Sequence, residues 1–357
     1  MKVIEYFRFS IISLNYNGRK ILGDLLDAHL RSLLSSEYDD FELIFVDNGS
    51  TDGSVEYVKT HFNNKRLKIV QLQKNYGYAR GNNLALEFVD PNTDIVVFIN
   101  NDTIVTKDWL KHLAEAFNDT KVGIAQPLIL NMNTDLIQFL GGYVDQFGRV
   151  MYTECNDEIM NTLFLTIIKI LRFQPLRVLW AYGACIAIRK DLLNKIGGFN
   201  ELFRFGYEEL TLCIPANALG YKVVMVPKAR LYHKGRATVK HLHLLKEYIR
   251  NAYSYIFIYY PFHMLPRGLL GRGLLDFSTS LRRHDARRLI AFLRVFVELL
   301  MNLRSIVSLR RRSFKLSSSS LIMKTPIFLT KQQHNSLILT KLLEINLAYK
   351  CDKEETQ

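Results

Sequence analysis

Four short apolar runs punctuate the first hundred residues, and each ends in a polar loop. Residues 10–16, SIISLNY, run into Asn17-Gly18. Residues 41–46, FELIFV, stop at Asp47-Asn48-Gly49-Ser50-Thr51-Asp52-Gly53. Residues 67–72, LKIVQL, give way to QKNYGYARGNN, and residues 94–100, DIVVFIN, break off at Asn100-Asn101-Asp102. Runs of this length bounded by turn formers read as buried strands. Between them, Ile21, Leu22, Leu25, Leu26, Leu30, Leu33 and Leu34 recur at helical spacing over 20–35. Further helices are expected over 54–61, with Ser50 and Asp52 as candidate caps, and roughly over 81–88. Strand, polar loop, helix, repeated, is the rhythm of an α/β fold with a doubly wound parallel sheet. In such a sheet the loops that follow the strands emerge on one edge, where ligands bind. Asp47, Asp52, the 75–83 loop and Asp102 are therefore expected to converge. Asn and Asp also favour turns and caps, but independent turns have no reason to share an edge.

The rhythm changes after Trp109. Residues 122–130 and 136–150 read as strands and turns of a mixed region, 181–193 as a strand leading into a helix, and 222–227, KVVMVP, as a further strand. The segment 159–180 is apolar with Lys169, Arg172 and Arg177 interspersed. From His241 onward the pattern is that of basic amphipathic helices. In 286–312, Arg287, Ala291, Arg294, Glu298, Asn302 and Ser305 fall on one stripe and nearly everything else is apolar. A narrow polar stripe on a broad apolar face fits a helix lying in a membrane interface, and also a helix buried against a partner. Beyond Lys315 a serine run introduces a tail with little pattern.

Composition narrows the classes. With 357 residues, 48% of them hydrophobic, the chain can bury a sizeable core, and wholesale disorder is excluded. A net charge of +13 favours anionic partners. The arginine clusters lie within or beside the amphipathic helices, and no nucleic-acid-binding signature accompanies them, so an anionic membrane surface is expected and nucleic acid is not. The four cysteines, Cys155, Cys185, Cys213 and Cys351, form no CxxC pair, which speaks against zinc and for thiols in a reducing compartment. Neither a secretion signal nor a membrane-spanning run stands out. A cytoplasmic protein, peripheral at the inner face of the cell membrane, is expected.

The segments LNYNG, IFVDNGSTDGS, KNYGYARGNN, FINNDT, GGYVDQFGR, YGACIAIRKDLLNKIGGFNE, YEEL and VPKARLYHKG follow one another in an order and spacing that resembles glycosyltransferase family 2, and within it the rhamnosyltransferase-like members. Each is weak alone, and together they are specific. The resemblance runs from about residue 10 to 255. It implies the GT-A fold, a Rossmann-like, mostly parallel sheet flanked by helices, here with a C-terminal amphipathic helical extension. It divides the chain into a GT-A domain over 1–240, a basic amphipathic region over 241–315 and a weakly patterned tail over 316–357. It also implies an inverting enzyme that uses a nucleotide sugar and Mg²⁺ or Mn²⁺.

Residue by residue, the resemblance assigns Asp47 to the nucleotide base, with Asn15 and Tyr16 lining the same pocket. Asn75, Gly77, Asn82 and Asn83 match the loop that closes over nucleotide and sugar. Asn100, Asn101 and Asp102 stand in place of the family's DxD motif, which makes Asp102 the metal ligand and lets the Asn100 amide oxygen reach the ribose or the metal. Glu208 and Glu209 match its ED pair, with Glu209 the candidate general base and Glu208 the alternate. His233 matches a histidine near the diphosphate or metal. The chemistry is coherent: a divalent metal bridges carboxylate and diphosphate, and a separate carboxylate takes the acceptor's proton.

The implied activity is transfer of a sugar, with rhamnose suggested by the resemblance alone, from a dTDP- or UDP-sugar to a glycan or lipid-linked acceptor in cell-surface polysaccharide synthesis. Homodimerisation through the C-terminal helices is left open. One departure stands out. After the ED pair the family continues with Asp-Leu-Cys, an aromatic and Arg, whereas here Thr211 replaces the Asp and Pro215 stands where the Arg is usual. Either the helix starts near Pro215, where a first-turn proline is tolerated, or the element is damaged. In the second case the protein is a catalytically degenerate scaffold that binds sugar nucleotide or membrane.

Overall fold

The computed structural model describes residues 6–145, 147–153, 158–203, 206–235, 244–282, 290, 294–295, 297–299 and 301–317. The tail from 318 onward, and Arg287 and Ala291 of the amphipathic stripe, lie outside the described residues. The first half follows the βα rhythm. Strands β1 (Phe9–Asn15), β2 (Phe41–Asp47), β3 (Leu67–Gln71) and β4 (Ile95–Asn100) alternate with helices α1 (Gly18–Leu22), α2 (Asp24–Leu34), α3 (Ser54–His61) and α4 (Tyr78–Ala85). β1 runs parallel between β2 and β4, and β3 runs parallel along the far side of β2. Every residue of β2 is buried, as expected of a parallel strand covered on both faces.

Two glycines move the boundaries. The helix expected over 20–35 is broken at Gly23, whose φ of 59° and ψ of −128° suit glycine, into α1 and α2. α4 starts three residues ahead of the expected Gly81, because Gly77, at φ 79°, ends the preceding loop at once. Residues Leu86–Phe88, expected as its end, form a separate 3₁₀ turn.

The second half supplies β5 (Thr103–Val105), α5 (Trp109–Phe117), β6 (Val122–Asn131), β7 (Ile137–Phe139), β8 (Gly141–Val144), β9 (Val150–Thr153), α6 (Glu158–Ile170), β10 (Leu176–Val178), β11 (Cys185–Arg189), α7 (Lys190–Ile196), α8 (Leu210–Ala218) and β12 (Lys222–His233). The main sheet has the order β10-β12-β6-β11-β4-β1-β2-β3, with β5 added to β12 and β7 to β6. β11 is antiparallel to both neighbours, so the sheet is parallel on one side and mixed on the other. β8 and β9 form a hairpin of their own. The strand expected at 222–227 is longer. β12 pairs parallel with β6, slips register between Val226 and Arg230, and continues to His233, where it pairs antiparallel with β5. It keeps β6 on one edge on both sides of the slip, with β10 on the other edge before it and β5 after it.

The expectation that a helix begins at Pro215 is corrected. α8 begins at Leu210 and runs through the proline. An interior proline costs about 3 kcal/mol, but all nine residues of α8 are buried, and each large apolar side chain removed from water returns about 1.5–3 kcal/mol. Burial on every side outweighs one lost hydrogen bond. Thr211 is also satisfied: its hydroxyl accepts the Asn200 N–H at 3.1 Å and donates to the Glu208 carbonyl at 2.6 Å.

Beyond the sheet lie α9 (Leu244–Tyr259), α10 (Leu265–Arg282) and a last described helix, Leu303–Ser317. α9 belongs to the core. Ile249, Ala252, Tyr255, Ile256 and Tyr259 are buried in the same cluster as the strands, and α10 and the last helix pack on it. Among the described residues no helix is long and apolar enough to cross a membrane.

Candidate active site

The carboxyl ends of β1, β2 and β4 meet in register. Asn15 lies beside Asp47, Leu14 beside Asn100, and Asp47 beside Gln71 of β3. Asn15 is fully buried and organises this edge. Its amide nitrogen donates to Asp47 Oδ1 at 3.2 Å and to Ser50 Oγ at 3.3 Å, while its oxygen accepts from Asn101 Nδ2 at 2.9 Å. Asp47 Oδ2 accepts the Ser50 N–H at 2.9 Å. Asn15, Asp47 and Asn101 thus come together, and Tyr16 stands at the mouth, 38% exposed. Asp52 has a different job. It accepts the Ser54 and Lys20 N–H groups and so pins the start of α3 to α1.

The 75–77 loop is held down by Asn48. Its amide nitrogen donates to Asn75 Oδ1 at 3.1 Å and its oxygen accepts the Tyr76 N–H at 3.0 Å. Gly49 makes the approach feasible, because a Cβ there would lie 2.6 Å from the Lys74 backbone. Asn75 and Gly77 therefore sit against the Asp47 loop. Asn82 and Asn83 point elsewhere. Asn82 donates back to the Tyr78 carbonyl within α4, and Asn83 is tied to both the N–H and the carbonyl of Phe199 at 2.9 Å.

Asp102 and His233 face each other across the β5–β12 pairing, with Nε2 and Oδ1 3.2 Å apart and both side chains buried. The Lys234 N–H donates to the Asp102 carbonyl at 3.0 Å. Burial works to raise the Asp102 pKa, but the His233 hydrogen bond and charge prevail and hold it below the usual carboxylate range. The other imidazole nitrogen, Nδ1, lies 2.8 Å from Gln138 Oε1. With Nδ1–H donating to Gln138, the Nε2 lone pair is placed to share a cation with the carboxylate. The pair fits a divalent metal as two of its ligands. Among the described residues no cluster of three or more His, Cys, Asp or Glu side chains forms a complete cage, so such a metal would also need oxygens from its ligand.

Beneath the turn lies His29, fully buried, with Nε2 2.9 Å from Ser13 Oγ and Nδ1 2.8 Å from the Thr103 carbonyl. Burial pushes its pKa down to about 4, so it is a neutral clamp on the chain next to Asp102.

Glu208 and Glu209 enter from the turn ahead of α8. Both are buried. Burial raises Glu208 well above the ordinary value, and the neighbouring Glu209 charge adds to the rise. Burial raises Glu209 to about 7. One short segment joins this pair to the other centre. The Tyr182 ring meets the His233 ring edge-on at 5.9 Å. The Gly183 carbonyl accepts from the Tyr78 hydroxyl at 3.1 Å, and a Cβ on Gly183 would lie 4.0 Å from Glu209 Cδ. The Ala184 carbonyl accepts the Asn100 N–H at 3.0 Å.

Sequence reasoning singled out no site residue in this bridge, although YGAC was among the motifs; Tyr78 likewise lay inside a quoted motif without a role. Gln138 and His29 gave no signal, because an isolated polar residue in an apolar run reveals no partner, and Asn48 lay inside a quoted motif without a role. Cys185 and Cys213 are free, buried thiols.

Comparison with known proteins gives the family and the fold. The model of the family "Glycosyl transferase family 2" matches residues 10–197, more than half of the chain. N-acetylglucosaminyl-diphospho-decaprenol L-rhamnosyltransferase of Mycobacterium tuberculosis is 25% identical over 294 residues, which covers 75% of this chain and 93% of that one. Other matched relatives are much longer, and the chain spans 24% or less of three of them. Among solved structures, Staphylococcus aureus TarS 1-349 in complex with UDP-GlcNAc superposes with a TM-score of 0.53 at 18% identity, covering 87% of this chain and 91% of that one. GalNAc-T7 with UDP, GalNAc and Mn²⁺ gives 0.54 at 16% identity, covering 71% of this chain and 51% of that one. The fold is that of the GT-A glycosyltransferases, and the chain belongs to glycosyl transferase family 2.

Proposed function

We propose that this chain transfers a sugar, with inversion, from a nucleotide-diphosphate sugar to a hydroxyl of a glycan or lipid-linked acceptor in the synthesis of a cell-surface polysaccharide. The observation that carries the proposal is the contrast between two buried acidic centres joined by residues 182–184. Asp102 is held ionised, and Glu209 is held ready to accept a proton. On this reading Asp47 and Asn15, with Tyr16 at the mouth, receive the nucleoside, and Asn75 and Gly77 close over it. Asn100 and Asn101 face the ribose and diphosphate. Asp102 and His233 hold Mg²⁺ or Mn²⁺, which when bound neutralises charge on the departing diphosphate. Glu209 takes the proton of the acceptor hydroxyl as its oxygen bonds to the anomeric carbon and the bond from that carbon to the diphosphate breaks. Glu208, also raised by burial, stands beside it as the alternate base. Rhamnose, as dTDP- or UDP-rhamnose, is favoured by the likeness to the mycobacterial rhamnosyltransferase.

The test is a thermal-shift titration with UDP, GDP, dTDP and CDP, each with Mn²⁺, Mg²⁺ or EDTA, on the wild type and Asp102→Ala. A ligand that binds only the folded state raises Tm. The expected result is a metal-dependent rise with one nucleotide, absent in the variant. No rise with any nucleotide overturns the proposal.

A further inference from the structure

α10 is inside out. Its buried face carries Arg272, Asp276 and Ser280 around Gly268. Its outward face carries Leu270, Leu274, Phe277 and Leu281, each at least half exposed. Those four recur at i, i+4, i+7 and i+11, which makes one continuous apolar stripe. The inversion is built in. Arg272 Nε donates to Asp276 Oδ2 at 2.8 Å, and the guanidinium lies over the Tyr253 ring of α9. Rolling the helix to hide its leucines would strip that ion pair of its setting, so the stripe stays in solvent.

The charge around the stripe selects its partner. Arg267 and Arg282 are exposed at its two ends, and Asp276, the one acid of α10, is turned inward. The last helix, which packs on the same α9, exposes Leu303 and Val307 with Arg304 and Arg311 and contains no acid. A second copy seated on this face would set arginine against arginine. An anionic lipid surface offers hydrocarbon to the leucines and phosphate to the arginines.

We infer that α10 docks the chain on an anionic phospholipid bilayer, with Leu270, Leu274, Phe277 and Leu281 entering the headgroup boundary. This goes beyond the proposed transfer reaction and does not rest on it. It also relocates the contact, because α9, read from sequence as one of the amphipathic helices, is consumed by the core.

Co-sedimentation tests it with the full chain and two kinds of vesicle, phosphatidylcholine with phosphatidylglycerol and phosphatidylcholine alone. Wild type is expected to sediment with the anionic vesicles. Leu274→Glu/Phe277→Glu should bind them at least about tenfold more weakly. Arg267→Gln/Arg282→Gln should bind more weakly at low salt and converge on wild type at high salt, where exposed charges are screened. A nucleotide thermal shift on each variant is expected to match wild type, which separates a docking failure from a folding or donor-site failure. The inference is overturned if wild type stays in the supernatant with anionic vesicles, or if the glutamate variant sediments as wild type does. A wild-type dimer that the glutamate variant dissociates, with neither binding vesicles, overturns it in favour of a second copy.

Discussion

The Asp102 region and the Glu208–Glu209 region are both buried, acidic and placed at the same sheet edge, yet their electrostatics are opposite. Asp102 sits at the end of the parallel half, where a strand from the mixed half delivers His233 to it. Glu209 sits on a buried turn beside a second carboxyl, and loss of solvent dominates its shift. Each is desolvated, and the partner decides the sign of the shift. The proposed transfer needs one lasting anion and one proton acceptor, and here one residue class supplies both according to what lies next to each.

Exchanging the charges breaks that comparison. The largest effect is expected from Glu209→Gln, which cannot accept a proton and should lower turnover by about 10²–10⁴-fold while leaving nucleotide binding in place. Asp102→Ala attacks the other centre. The stabilisation by nucleotide and Mn²⁺, about 2.7 kcal/mol at a hundredfold excess over Kd, should vanish, as read by thermal shift.

A pH series sharpens the contrast further. Transfer should fall about tenfold per pH unit below the pKa of the base, here about 7, and Glu209→Gln should flatten the profile. Stability should move with opposite signs at the two centres. Glu209 holds its proton more tightly folded than unfolded, so its contribution weakens as pH rises from 4.5 toward 7. Asp102 is depressed when folded, so its contribution is present above 3.8 and lost as pH falls further. Denaturant midpoints across pH for wild type, Glu209→Gln and Asp102→Asn measure both slopes. The smallest effect should come from His29→Leu. It leaves the Thr103 carbonyl without its buried partner and should cost about 1–3 kcal/mol in a chemical denaturation curve, with a weaker metal-dependent shift because the turn next to Asp102 loosens.

The parallel half was legible because its physics is local. An apolar run ending in Asn15, Asp47 or Asn100 announces both strand and site, and registry then places those residues side by side. The mixed half was harder to read because its partners are distant. Nothing near residue 138 signals His233, and KVVMVP does not say that its strand will slip register and run on to 233. Pro215 misled for a related reason. Its local cost is known, while the burial that overrides it belongs to the surroundings of α8. Gly23 was passed over because the apolar spacing continues across it.

α9 has a consequence for how the molecule comes apart. Its buried tyrosines and isoleucines belong to the common core, and the outer helices pack against it. Its amides can exchange with deuterium only when much of the molecule opens, whereas the outer helices have a route to fray alone. A chain cut at residue 240 would lose a wall of its core and bare Tyr207, whose ring lies against Tyr255 of α9. The segment around Tyr207 and α9 should therefore melt as one cooperative unit, with the outer helices fraying ahead of it.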